Sequence, residues 1–167
     1  MKKLADINVC TERLKLTPLK PSDARKLSEL SNYKEITEKV DILTTPFTEE
    51  DAKKLLSRES GRDECFFGVF LNEDSTLVAV VGAHSDGHAV IEIGYWAHPA
   101  YKRKGYVSEA VKNLTTGIHQ FYPDFKIIAE CRPENLPSFI LLKKCGFIST
   151  GKVGHRPGRE ILIWRKQ

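Results

Sequence analysis

Residues 90–121 constrain the fold of this chain more than any other stretch. Val90-Ile91-Glu92-Ile93-Gly94-Tyr95-Trp96-Ala97 alternates apolar and polar and reads as a strand. His98-Pro99-Ala100-Tyr101-Lys102-Arg103-Lys104-Gly105 reads as a turn. From Tyr106 to Phe121, the residues Val107, Ala110, Val111, Leu114, Ile118 and Phe121 recur at three- to four-residue spacing, which predicts an amphipathic helix. A strand that passes through a basic, glycine-containing turn into a helix gathers backbone N–H groups and the positive end of a helix dipole at one place. Lys102, Arg103 and Lys104 add three cations there, although cations at a helix N-terminus oppose the dipole. A bound anion offsets that conflict, so the turn reads as a phosphate site.

Around this unit the chain alternates between strand and helix signals. Thr11 to Thr17 reads as a first strand. Pro21-Ser22-Asp23 opens a helix carrying Ala24, Leu27 and Leu30, and Thr48 caps a second with acids in its first turn. Val40 to Phe47 between them is loop-like. Cys65–Leu71, Leu77–His84 and Ala89–Ala97 form a meander, with Asp86-Gly87 as a hairpin signal. After the long helix come a strand over Phe125–Cys131 and a helix over Ser138–Cys145 stopped by Gly146. A hairpin of Phe147–Val153 and Glu160–Trp164 closes the chain. The expected order is β-α-α-β-β-β-α-β-α-β-β, an α/β (α+β) arrangement.

Length and composition remove several function classes. The 167 residues suit one domain, 1–167, with 41% apolar and 29% charged residues. No apolar run approaches the roughly 20 residues of a membrane span. Met1-Lys2-Lys3-Leu4-Ala5-Asp6 lacks the apolar stretch of a signal peptide, so a cytoplasmic protein without a membrane partner is expected. Cys10, Cys65, Cys131 and Cys145 have no metal spacing and read as reduced, mostly buried thiols. His84 and His88 flank a turn, so they are no helical metal pair, and no metal is expected. A net charge of +4 without a long basic run gives no support to a nucleic-acid partner. Walker and dinucleotide-binding glycine motifs are absent from the sequence.

Three blocks carry a family resemblance. The turn, with Lys102 and Gly105 and with Val107 at the last position, resembles the Gln/Arg-x-x-Gly-x-Gly/Ala loop of the GNAT N-acetyltransferase superfamily. Thr11-Glu12-Arg13-Leu14-Lys15-Leu16-Thr17-Pro18-Leu19 with Ser22-Asp23-Ala24 resembles the start of the branch that holds the ribosomal-protein acetyltransferases RimJ and RimL. Asn135-Leu136-Pro137-Ser138, followed by Lys144-Cys145-Gly146-Phe147, resembles that branch's Asn-x-x-Ser…Lys-x-Gly-Phe block. The resemblance implies a mixed central sheet splayed between its fourth and fifth strands, with acetyl-CoA lying in the splay.

It also implies roles. Main-chain groups of Trp96 and Ala97 meet the pantetheine arm. Lys102, Arg103, Lys104, Gly105, Tyr106, Val107 and Ser108 form the pyrophosphate loop, where Val107 is the residue able to crowd the ligand. Asn135 serves the pantetheine arm or simply caps a helix. Glu92 is the expected base, because an ammonium of pKa ~10 must lose a proton before its nitrogen attacks a thioester. His84, His88 and His98 are alternatives, with His98 read as structural. Ser138 is the expected proton donor to the leaving thiolate, because Leu142 stands where many members have Tyr. The acceptor is a primary amine, on a protein N-terminus or a small molecule. The other classes kept open are a non-catalytic CoA-binding sensor module and, for assembly, a monomer or homodimer.

Overall fold

The computed structural model describes residues 2–166. Eight strands form one sheet: β1 (Val9–Cys10), β2 (Leu14–Pro18), β3 (Glu64–Leu71), β4 (Leu77–Ser85), β5 (Val90–Ala97), β6 (Lys126–Cys131), β7 (Phe147–Val153) and β8 (Glu160–Trp164). Their spatial order is β1-β2-β3-β4-β5-β6-β8-β7, antiparallel except for the β5–β6 pair. The α-helices are α1 (Ala24–Ser31), α2 (Lys34–Thr37), α3 (Glu49–Ser57), α4 (Tyr106–Phe121) and α5 (Leu136–Lys144). No helix among the described residues is long and apolar enough to cross a membrane. Met1, part of the N-terminal segment read above, lies outside the described residues; Leu4 of that segment is fully buried.

β4 is apolar almost throughout because helices cover both of its faces. On one face Val81, Ala83, Ile91 and Ile93 pack with Ala110, Val111, Leu114 and Ile118 of α4. On the other, Val80 and Trp96 pack with Ala24, Leu27 and Leu30 of α1 and with Ala52 and Leu55 of α3. The period-two alternation of β5 therefore sends Ile91, Ile93 and Tyr95 toward α4, and Glu92, Gly94 and Trp96 toward the α1–α3 side. The Thr48 cap forms as expected: Thr48 Oγ1 accepts from Asp51 N at 3.2 Å, and Thr48 N donates to Asp51 at 2.9 Å.

The splay is visible in the register. β5 pairs with β6 only at Val90↔Lys126, Ile91↔Ile127 and Glu92↔Ile128. Beyond Glu92, β5 stays on β4 as far as Ala97↔Ala79, while β6 turns its remaining residues to β8. This is the parting expected between the meander's last strand and the next one.

Two expectations about elements need correction. The run Thr11 to Thr17 is not one strand: a turn at Thr11–Arg13, with Thr11 N bonded to Leu14 O at 2.8 Å, divides β1 from β2. The alternation of Leu14 and Leu16 belongs to β2 alone, and the three consecutive polar residues Thr11, Glu12 and Arg13 before it form the turn. The second correction is an additional one-turn helix, α2, which seats Ile36 in the α1–α3 core. The sheet thus has eight strands rather than seven, and there are five α-helices rather than four.

Candidate active site

The turn after β5 has an uncommon backbone. Arg103 (φ 63°) and Gly105 (φ 79°) both lie in the left-handed region, on either side of Lys104. Such alternation turns successive N–H groups into a shared concavity. Glu109 N is the first to bond back along α4, to Gly105 O at 3.0 Å, so the N–H groups of Tyr106, Val107 and Ser108 precede the helix's own ladder. Val107 is half-buried and packs against the α4-side core. These features fit an anionic pyrophosphate held by main chain, the acetyl-CoA end that the resemblance implies.

The loop is braced by residues distant in sequence. Arg13 donates to Lys104 O at 3.0 Å, pairs with Glu109 at 2.8 Å and stacks 4.6 Å from the Tyr106 ring centroid. Thr11 Oγ1 adds a 2.5 Å bond to the same carboxylate. Burial raises the Glu109 pKa, but the bonds from Thr11 and Arg13 outweigh it and leave the value below the usual range. This explains physically why an N-terminal Thr-x-Arg accompanies the turn, a link the sequence does not display. Lys102, by contrast, reaches sideways to Glu35 of α2 at 3.1 Å, while Arg103 and Lys104 are exposed. Ser108 faces Cys145: Cys145 Sγ donates to Ser108 O at 3.5 Å.

On the α4 side of the splay, Tyr95 Oη and Ser138 Oγ share a 2.6 Å hydrogen bond. The bond links β5 to the start of α5, where Asn135 Oδ1 accepts from Ser138 N at 3.5 Å. Burial pushes the Tyr95 phenol well above its ordinary pKa, so it stays protonated. Leu142 is core, only 1% exposed. Tyr95 is thus a hydroxyl beside Ser138 that sequence reasoning overlooked; its one signal was a phenol on the apolar face of β5. Trp96 is buried on the opposite face, with its indole N–H bonded to Ser31 Oγ at 2.8 Å, and Ala97 is buried as well.

On that opposite face lies a cavity of about 670 Å³. Its lining includes Glu92, Gly94, Gly82 and His84 from the sheet, Lys39–Ile42 from the loop before α3, Arg58, Arg62 and Glu64, and Arg156 and Arg159 from the β7–β8 turn. Gly82 and Gly94 are cross-strand partners, and a Cβ built on Gly94 would meet nothing within 4 Å. Glu92 is held by Arg156 Nη2. Arg156 also pairs with the buried Glu130 at 3.1 Å, and Glu130 accepts from His155 N at 2.9 Å. Burial raises the Glu130 pKa, but the bonds from His155 and Arg156 win and draw it down to about 2.

Beside Glu92, across the β4–β5 pair, His84 Nδ1 lies 2.9 Å from Glu64, which Arg58 grips through both carboxylate oxygens at 2.7 and 2.9 Å. His98 instead caps the turn after β5 and bonds Tyr33 at 2.9 Å, and exposed His88 sits in the β4–β5 hairpin. Of the three histidines considered, His84 alone lines the cavity. Cys65 is pushed up to about 12 by burial and the nearby Asp63 and Glu64 carboxylates, so its thiol stays protonated. Cys131 and Cys145 are raised by burial as well, while Cys10 is exposed.

The sheet parts beside a main-chain anion loop, and a charged cavity lies across one of the parted strands. That combination offers room for one long anionic ligand beside one compact polar ligand. The chain belongs to the GNAT acetyltransferase family: the family's "Acetyltransferase (GNAT) domain" matches residues 13–148. The Bacillus subtilis (strain 168) protein YnaD, an uncharacterized N-acetyltransferase, is 36% identical over 106 residues. That match spans 63% of this chain and 62% of YnaD, under two thirds of its length. A GNAT-family acetyltransferase from Bacillus anthracis superposes with a TM-score of 0.76 at 26% identity, over 94% of this chain and 95% of its own. The ribosomal-protein-S5-alanine acetyltransferase of Vibrio fischeri does so with a TM-score of 0.76 at 18% identity, over 95% of each chain, a likeness of fold.

Proposed function

We propose that this chain moves the acetyl group of acetyl-CoA directly onto a primary amine, without a covalent intermediate on the protein. The observation that carries the reading is the parting of β5 from β6 at Glu92. Beyond Glu92, as far as Ala97, the β6-facing edge of β5 has no strand neighbour. The interval spans about 17 Å at roughly 3.3 Å per residue. This open edge runs from the phosphate loop to the cavity, and it suits an extended pantetheine arm.

Each residue then has one task. N–H groups at the start of α4 hold the pyrophosphate, with Arg103 and Lys104 adding charge. Main-chain groups at Trp96 and Ala97 hold the arm and stabilise the oxyanion that forms when the amine attacks. Glu92, oriented by Arg156, removes the amine proton, directly or through water. The nitrogen lone pair forms the new C–N bond, the C–S bond breaks, and Ser138 with Tyr95 returns a proton to the sulfur. Asn135 fixes the start of α5 and so the position of Ser138. His84, oriented by Glu64, is a second base within the same cavity. The resemblance to the RimJ and RimL branch favours a protein N-terminal amine as acceptor.

The test is a calorimetric titration with acetyl-CoA, followed by thiol release on adding amines. Micromolar binding that collapses in the Arg103→Glu/Lys104→Glu double variant, together with amine-dependent thiol release, is expected. Binding without transfer to any amine would replace this reading with a CoA-binding sensor module. No binding at millimolar acetyl-CoA would overturn both.

A further inference from the structure

The charges around the cavity are not balanced by one another. Arg58 is matched by Glu64, and Arg156 by Glu92 and Glu130. Lys39 and Arg62 line the same cavity, and among the described residues neither has a carboxylate within ion-pair distance. Arg159 is mostly buried, with 17% of its side chain exposed; its Nη2 donates to Lys39 O at 3.4 Å, and among the described residues its one carboxylate neighbour is exposed Asp41, at 3.8 Å. Its Nε–H is buried and has no acceptor. A buried donor left without a partner is rare in folded proteins, and here it leaves the positive charge of Arg159 incompletely compensated from within the protein. A protonated amine entering such a cavity meets net positive charge unless it brings a negative group of its own.

We propose that the amine acceptor carries a carboxylate, received by the accessible part of the Arg159 guanidinium with Arg62 and Lys39 alongside, while its amine faces Glu92 and His84. The inference rests on the acetyl-transfer reading and narrows it. A guanidinium edge presents parallel N–H donors that match a carboxylate, so the choice of arginine fits this group. Two sources supply the chemistry: a free α-amino acid, through its own carboxylate, or a peptide N-terminus with an acidic side chain in its first residues. Polyamines, which bring only positive charge, are disfavoured by the same argument.

The experiment has a binding arm and a turnover arm. In the first, saturation-transfer NMR with CoA present compares free glutamate, the amide-capped peptide Ala-Glu-Ala, its Ala-Gln-Ala twin and spermidine. One or both carboxylate-bearing ligands should bind at least tenfold more tightly than the Gln twin and spermidine; which of the two does so identifies the source. That preference should vanish in Arg159→Gln and shrink in Arg62→Gln, whose exposed side chain is remote from the core. In the second arm, thiol release from acetyl-CoA should follow the same ranking in kcat/KM. Equal or tighter binding of the Gln twin or spermidine overturns the proposal even if acetyl transfer proceeds. Carboxylate-selective binding without any thiol release overturns the transferase reading and leaves the anion site standing.

Discussion

The carrier loop and the acceptor cavity lie on either side of β5, yet they are built by different means. The loop offers main chain, from a handful of consecutive residues whose left-handed positions at Arg103 and Gly105 turn the N–H groups. The cavity offers side chains drawn from four separate stretches, residues 39–42, 58–64, 82–96 and 156–159. A main-chain site depends on local conformation and tolerates side-chain change. A side-chain site depends on tertiary placement and fails when one charge is removed.

The largest effect should come from the cavity. Glu92→Gln should lower kcat about 100-fold or more while the acetyl-CoA Kd stays unchanged in calorimetry. An unaltered kcat would move the base to His84, and Glu64→Gln would then be the damaging change. Next comes the cavity's foundation. Glu130→Gln should destabilise the fold by about 1–3 kcal/mol in urea melts, because it loosens the bonds that tether His155 and Arg156. The acceptor KM should rise with it. Glu130 also sets an acid limit. Its pKa falls from 4.5 to about 2 on folding, so its contribution is complete above about pH 4.5 and is lost as the pH drops toward 2. Melts of wild type and Glu130→Gln should therefore converge at the acid end of that window.

On the loop side the effects should be smaller and confined to the carrier. Arg13→Ala removes the brace on Lys104 and Glu109 and should weaken acetyl-CoA by about tenfold, near 1–2 kcal/mol, with kcat spared. Lys102→Ala should change that Kd less than about threefold, since an exposed ion pair to Glu35 contributes little. A large loss from Lys102→Ala would break the distinction between a main-chain site and a side-chain site.

The same distinction accounts for what could be read from the sequence. The strand–turn–helix unit was legible because strand alternation, a glycine at positive φ and helical periodicity are local signals. β7 and β8 have the expected bounds for the same reason. Glu92 and Ser138 were legible as candidates only through the family resemblance, which places a base on that strand and a hydroxyl at that helix start. Arg13, Tyr95 and Arg156 were not. Arg13 meets its loop across 91 residues of sequence and Arg156 meets Glu92 across 64, and no periodicity encodes such distances. α2 was missed because one helical turn is too short to show a period, and its stability comes from burying Ile36.

Gly94 gives the scaffold room to change its clientele. Open space lies beyond its Cα, so a methyl group there would trim the cavity without disturbing a neighbouring atom. Bulk added at this one spot leaves the carrier loop, the braces behind it and the core untouched. On the proposed reading, size selection is therefore separable from the chemistry, and a lineage could re-tailor the acceptor one substitution at a time.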